Sequence, residues 1–248
     1  MNSIISWGQR WLRKSPGFTL AEMMVAMAVG SFVVAGVLAV MTQLFDVTAT
    51  NSNYMAAFRQ AQNSGDWISR DSLMTQQVDI AATALTAGVD DSQTTITVSS
   101  TDGFPVSGVI GISGATGVEE DELIQYSGKT TTQFTGCTRD SSATAHSDGS
   151  SVTVFVALGW TEWTGDQNQV IYNLKEVSRQ LVRSHLIKGV SESSYSLAGS
   201  SIVGEAIEAG ETSSVWDYGD KELTVVITAQ IRDEAATRTY RINPRPLF

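Results

Sequence analysis

The chain has 248 residues and a formal charge of −10, with 26 acidic against 16 basic residues. A surface of that sign argues against a general nucleic-acid- or phosphate-binding role, which needs basic patches. Cys137 is the only cysteine, so no internal disulfide forms, and the length suffices for a membrane span plus one or two small domains.

Residues 1–17 hold Arg10, Arg13 and Lys14 and no acid, with Trp7 and Trp11 suited to resting this leader on a membrane surface. Residues 23–45 carry no charge, and those 23 residues exceed the roughly 20 that a helix needs to cross a bilayer core. Basic residues ahead of the span place the N-terminus in the cytoplasm and the remaining bulk outside it. A secretory signal would be cut after its apolar region, beside small residues. Residues 45–53 form no such site. A plain anchor leaves Glu22 unexplained, because a carboxylate inside a span costs roughly 2.5–3.5 kcal/mol. That carboxylate calls for a partner.

Lys14-Ser15-Pro16-Gly17-Phe18-Thr19-Leu20-Ala21-Glu22, followed by the uncharged run, resembles the processing site of type IV prepilins and pseudopilins over residues 14–44. The resemblance implies cleavage by a prepilin peptidase between Gly17 and Phe18 and methylation of the new N-terminus. Glu22, then the fifth residue, would meet the amino terminus of a neighbouring pilin or pseudopilin subunit during assembly. Removal of residues 1–17 takes away three basic residues and moves the charge from −10 to −13. The sequence departs from the family at Pro16, at Ala21 and in the length of its leader. It also lacks proline between residues 18 and 52 and lacks the disulfide of many major pilins. These last two features point to a minor pilin or pseudopilin with a continuous helix. Ala26 with Gly30, and Ala35 with Ala39, have the small-residue spacing that permits close helix packing in lipid.

Beyond residue 45 the chain turns polar but keeps a helical period. Tyr54, Phe58, Ala61, Gly65 and Ile68 form a stripe that Leu73 continues. One helix over residues 18–80, with 18–45 as the membrane or filament-core part, would reach roughly 90 Å. Its outer half is expected to pack on a β-sheet.

Residues 87–156 change in texture to Ser, Thr and Gly with short β-prone runs at 94–98, 109–112, 123–126, 133–135 and 152–156. Gly103-Phe104-Pro105, Glu122-Leu123-Ile124-Gln125-Tyr126-Ser127-Gly128 and Ala145-His146-Ser147-Asp148-Gly149 resemble a small β-module of phage structural and bacterial surface proteins. This segment is expected as an inserted module, with a surface or glycan as its ligand. Residues 158–248 are expected to form the pilin-like head. Strands are predicted around residues 159–163, 169–174 and 181–183, with a loop or short helix over 189–214. The strongest strand, 222–232, pairs with 237–242, and Asn243-Pro244-Arg245-Pro246 resembles a minor pseudopilin tail.

Little else carries chemistry. His146 and His185 lack zinc-ligand spacing. The acidic run Glu119-Glu120-Asp121-Glu122 lacks the EF-hand alternation and reads as a solvated loop, as does Asp90-Asp91. Trp160, Trp163 and Trp216 read as sheet or core packing. The expected fold class is α+β: a long N-terminal transmembrane-to-periplasmic helix on an antiparallel sheet, with an inserted all-β module. The expected protein is a structural, non-enzymatic minor pilin or pseudopilin without a cofactor, held in the cytoplasmic membrane and then in a pilus or pseudopilus, at or near the tip. The alternatives are a pilin-carried adhesin-like module, or a tethered protein that never assembles.

Overall fold

The computed structural model describes residues 17–113, 121–139 and 143–244. The chain divides into two compact units, Met1–Thr50 and Asn51–Phe248. Helix α1 runs unbroken over Leu20–Ser72, 53 residues. Among the described residues thirteen strands follow: β1 (Gln77–Ala84), β2 (Thr95–Thr97), β3 (Gly108–Ser113), β4 (Glu122–Tyr126), β5 (Gly128–Lys129), β6 (Gln133–Thr135), β7 (Ser151–Thr161), β8 (Gln167–Lys175), β9 (Gln180–Lys188), β10 (Ser196–Glu205), β11 (Ser213–Asp217), β12 (Glu222–Ile231) and β13 (Glu234–Ile242). The class is α+β. Its largest sheet has seven antiparallel strands in the order β10-β9-β8-β7-β3-β4, with β1 also on β7, and two three-stranded sheets, β11-β12-β13 and β2-β6-β5, accompany it.

The helix ends earlier than its pattern predicts. Met74 and Thr75 donate to Asp71 and Ser72 carbonyls three residues back, which tightens the last turn. Gln76 N–H and the Thr75 hydroxyl then both donate to the Gly159 carbonyl, at 2.7 and 3.1 Å. Residues 77–80, expected as helix, are therefore captured as strand β1 on β7, and Val78 enters the core. Leu73, the last member of the predicted stripe, is exposed. The rest of the stripe holds in the head: Ala57, Ala61, Gly65 and Ile68 are buried and Phe58 packs beside them, whereas Tyr54 is more exposed.

Strand β7 organises the sheet. Residues 151–153 pair with both β1 and β3, and residues 157–159 pair with both β1 and β8, so β1 holds one edge while β3 and β8 share the other. Two steps on β1, from Asp79 to Ala81, face three on β7, from Ala157 to Val154. The extra residue is a β-bulge at Phe155-Val156. It shifts the alternation, so that Val152, Val154 and Ala157 face one apolar cluster while Phe155, Val156 and Leu158 face another. The freed Phe155 carbonyl accepts from the Ser214 hydroxyl of β11 at 2.5 Å.

The first cluster joins α1 residues Ala57, Ala61 and Ile68 to β7–β9 and to the β12 face of Leu223, Val225, Ile227 and Ala229. The second joins Ile96, Phe104, Ile110, Ile124, Tyr126 and Phe134 to the far side of β7. The predicted runs at 94–98, 109–112, 123–126 and 133–135 all form strands, but β3 and β4 are members of the main sheet rather than of a separate one. Strand β7 passes through residues 156–158 without interruption. The region 189–214, expected as loop or short helix, contains strand β10, because Ser196–Glu205 pairs along the whole of β9. Of the Asn243–Pro246 tail, residues 245 and 246 lie outside the described residues.

Two interactions tie α1 into the head. At Gly65 an added Cβ would lie 1.9 Å from the Tyr240 ring, so helix and β13 approach as closely as a glycine permits. Asp71, buried in the last helical turn, accepts from Arg183 Nε at 2.7 Å, Arg183 Nη2 at 3.1 Å and Tyr172 Oη at 2.5 Å. Arg183 also lies over the Trp67 ring, 5.4 Å from its centroid. Removing one partner of such a buried pair strands the other charge. Asp71→Ala is expected to destabilise the head by about 3–5 kcal/mol, and Gly65→Ala by about 1–3 kcal/mol through overpacking. Urea unfolding followed by near-ultraviolet circular dichroism checks both, and an unchanged midpoint for Asp71→Ala would remove the lock.

Candidate functional site

The N-terminal site is built by the first turn of α1. Thr19 is the last residue before the helix and Glu22 is its third residue. Thr19 N–H donates to Glu22 Oε2 at 2.9 Å, the Thr19 hydroxyl donates to the same oxygen at 2.9 Å, and Glu22 N–H donates to Thr19 Oγ1 at 3.2 Å. This reciprocal arrangement is a capping box, which satisfies helix-end N–H groups that have no intrahelical acceptor. The Thr-x-x-Glu spacing that specifies it is plain in the sequence, and the reading of Glu22 as a membrane carboxylate passed over it.

Phe18 is 87% exposed just before the cap, and an added Cβ at Gly17 would meet nothing within 4 Å. The basic and aromatic leader residues Trp7, Arg10, Trp11, Arg13 and Lys14 lie outside the described residues. From residue 17 to residue 52 every side chain is exposed, including Met23, Val25, Phe32, Val37, Leu44 and Phe45. The helix is long and apolar enough to cross a membrane. Three of its hydroxyls return to the helix itself: Ser31, Thr42 and Thr48 donate to the carbonyls of Ala28, Ala39 and Leu44 at 2.7–2.9 Å. Polar groups satisfied in this way suit a segment surrounded by hydrocarbon or by other helices.

The profile of the prokaryotic N-terminal methylation motif matches residues 12–38. The motif and the apolar helix that continues it give the chain a type IV pilin-like N-terminal region. The match spans the residues just before Gly17, the Gly17–Phe18 junction, the cap and the apolar run as far as residue 38. No curated protein and no solved structure matches the chain.

The head of this pilin-like chain contains a second group of charged residues, and it differs from the expected solvated loop. Glu119 and Glu120 lie outside the described residues, but Glu122 is buried on β4. It accepts from Arg139 Nε at 2.7 Å and Arg139 Nη2 at 2.5 Å, and pairs with His146 Nε2 at 3.0 Å. Asp121 Oδ2 accepts from the backbone of Val177 at 2.7 Å and Ser178 at 3.1 Å. Both acids are thus structural partners rather than free surface charges. His146, expected in a turn or packing role, is buried within this cluster. His185 lies on β9, bonded to Asn168 Oδ1 at 2.9 Å and stacked on Trp160, and burial pulls its pKa below the ordinary histidine value. Among the described residues no group of three or more His, Cys, Asp and Glu is placed to hold a metal ion.

Cys137 is buried, and burial pushes its thiol up to about 11, which leaves it protonated and unreactive at neutral pH. Trp160 and Trp216 are partly buried against the first cluster, as expected of packing residues. Trp163 is not: it stands 96% exposed in the β7–β8 turn.

Burial alone would raise the Glu122 pKa, but the bonds from Arg139 and His146 and the Arg139 charge outweigh it and hold the carboxyl at about 2. A depressed carboxyl pKa contributes stability above its unfolded value, and that contribution disappears as pH falls through the folded one. The head is therefore expected to lose stability between about pH 4.5 and pH 2, and Glu122→Gln should flatten this acid limb while lowering stability at pH 7. Thermal melts across pH check it; an acid limb of unchanged steepness in the variant would refute the assignment.

Proposed function

We propose that this pilin-like chain is a structural subunit, cut between Gly17 and Phe18 by a prepilin peptidase, methylated at Phe18 and packed through α1 into a type IV pilus or a secretion pseudopilus. Before assembly it is a single-pass protein of the cytoplasmic membrane with its head outside the cytoplasm. The observation that carries this reading is the methylation motif opening onto an apolar helix whose first 33 residues have no partner in the chain. A helix of that kind needs lipid before assembly and other helices after it.

The role of Glu22 follows from its charge. Its cap satisfies hydrogen bonds but leaves the carboxylate negative in a segment where water is scarce, so a cation must meet it. The methylated amine of a neighbouring Phe18 supplies one. The head's added strands around residues 87–156 give it bulk that crowds a continuous shaft, which favours a minor subunit at or near the tip.

The first test is N-terminal mass spectrometry of protein recovered from membranes or sheared filaments. The expected peptide begins at N-methylated Phe18; an intact Met1 in cells that contain the peptidase would overturn the proposal. The second test separates capping from charge pairing. Glutamine at the third helical position also closes a capping box, so Glu22→Gln keeps the cap and loses the charge. Both Glu22→Gln and Glu22→Ala are expected to abolish incorporation into filaments. Normal incorporation of Glu22→Gln would reduce Glu22 to a helix cap.

A further inference from the structure

One cleft in the head is unexplained by packing or by assembly. It has a volume of about 670 Å³ and is lined by Val78, Asp79, Trp216, Tyr218, Lys221 and Asn243 among others. That volume falls within the range of small-molecule sites. None of its lining residues lies within 87–156. It opens beside the start of β1, just past the C-terminal end of α1 and about 30 Å along the helix axis from Asn51.

The lining has a specific chemistry. Trp216 is held in place by packing on the first apolar cluster, while Tyr218 is 75% exposed. Their rings meet edge to face, with centroids 6.3 Å apart and planes at 81°, so they form a fixed aromatic corner. Around that corner stand planar polar groups: the amides of Gln76, Gln77 and Asn243, which both donate and accept, and the Asp79 carboxylate, which accepts. Gln77 Nε2 already donates to Asp79 Oδ2 at 2.8 Å. Burial pushes the Asp79 carboxyl above the ordinary aspartate range, against the Gln77 bond and the Lys129 charge. Charges in the lining are mixed, with Asp79 and Asp220 against Lys221, which is no cradle for a phosphate or another anion. A purely apolar ligand would leave the amides and carboxylates desolvated without partners. A pyranose fits both demands, because it presents a C–H face to an aromatic ring and a rim of hydroxyls to amides and carboxylates.

We propose that this cleft binds a neutral oligosaccharide, with the Tyr218 and Trp216 rings as its stacking platform and Asp79, Gln77 and Asn243 as its polar rim. The proposal concerns the head alone and stands whether or not the chain enters a filament.

The test uses the full chain in a detergent without a sugar headgroup, titrated by calorimetry with cellotetraose, maltotetraose and chitotetraose. Saturable binding of at least one is expected. Tyr218→Ala, at an exposed position that leaves the core intact, should weaken it roughly three- to tenfold, the loss of one aromatic contact. Tyr54→Ala, on the helix turn nearest the start of the head, should leave it unchanged. No binding of any of the three would overturn the proposal, and so would binding indifferent to Tyr218→Ala. Binding that appears only in a chain ending at Pro244 would overturn it as well, since the cleft would then serve the protein's own C-terminal residues.

Discussion

The head depends on one strand with a defect in it. Strand β7 carries β1 on one edge and both β3 and β8 on the other, and a single extra residue at Phe155-Val156 makes that possible. Without the bulge, Val152 and Val154 would share a face with Val156 and Leu158, since alternate residues of a strand point the same way. With it, the two pairs feed different apolar clusters. Each cluster is therefore anchored on the same strand, one on each side. The segment of residues 87–156 has its own sequence texture, yet its strands β3 and β4 are continuous with the sheet of the head, and the apolar cluster it fills also takes in Ala81, Leu85, Ile171 and Leu186. A boundary drawn at residue 156 cuts the strand that both cores need.

That arrangement also sets how far the sequence could be read. Signals that are local and periodic were legible. The apolar run, the alternation of β12 and the short strands β2, β3, β4 and β6 all follow from residues within a few positions of one another. The end of α1 was not legible, because Leu73 continues a loose helical stripe, and a carbonyl more than 80 positions away, that of Gly159, captures residues 75 and 76 and leads 77–80 into strand. Strand β10 was missed for a related reason. Its Ser- and Gly-rich sequence has little strand propensity, and its pairing with β9 decides its conformation.

Buried charge follows the same division. Asp71 reads as one more polar residue near a helix end, and Glu122 as one more acid in a solvated run. Each is enclosed because its partner arrives from elsewhere, Arg183 and Tyr172 for Asp71, Arg139 and His146 for Glu122. Composition cannot announce such pairs. The two locks also sit differently: Asp71 fixes the last turn of the helix to β8 and β9, whereas Glu122 fixes β4 to the segment between β6 and β7. The first holds α1 against the main sheet, and the second closes the strand group beyond it.

At the N-terminus the local signal was present and incompletely used. Thr19 and Glu22 form a capping box by spacing alone, and this gives Glu22 a structural task independent of any partner. The two tasks do not compete. Both Thr19 donors reach Oε2, and neither reaches Oε1, so the cap orients the carboxylate without neutralising it. Cleavage at Gly17 would place a cationic amine immediately before the cap, where the positive end of the helix dipole repels it. An oriented carboxylate one turn away offsets that repulsion, and the same carboxylate, presented on an exposed helix end, can accept the amine of a second chain instead. The cap thus fixes where the charge points, and the surrounding hydrocarbon makes leaving it unpaired costly. In the proposed assembly, these two effects would turn a helix-start motif into a register mark.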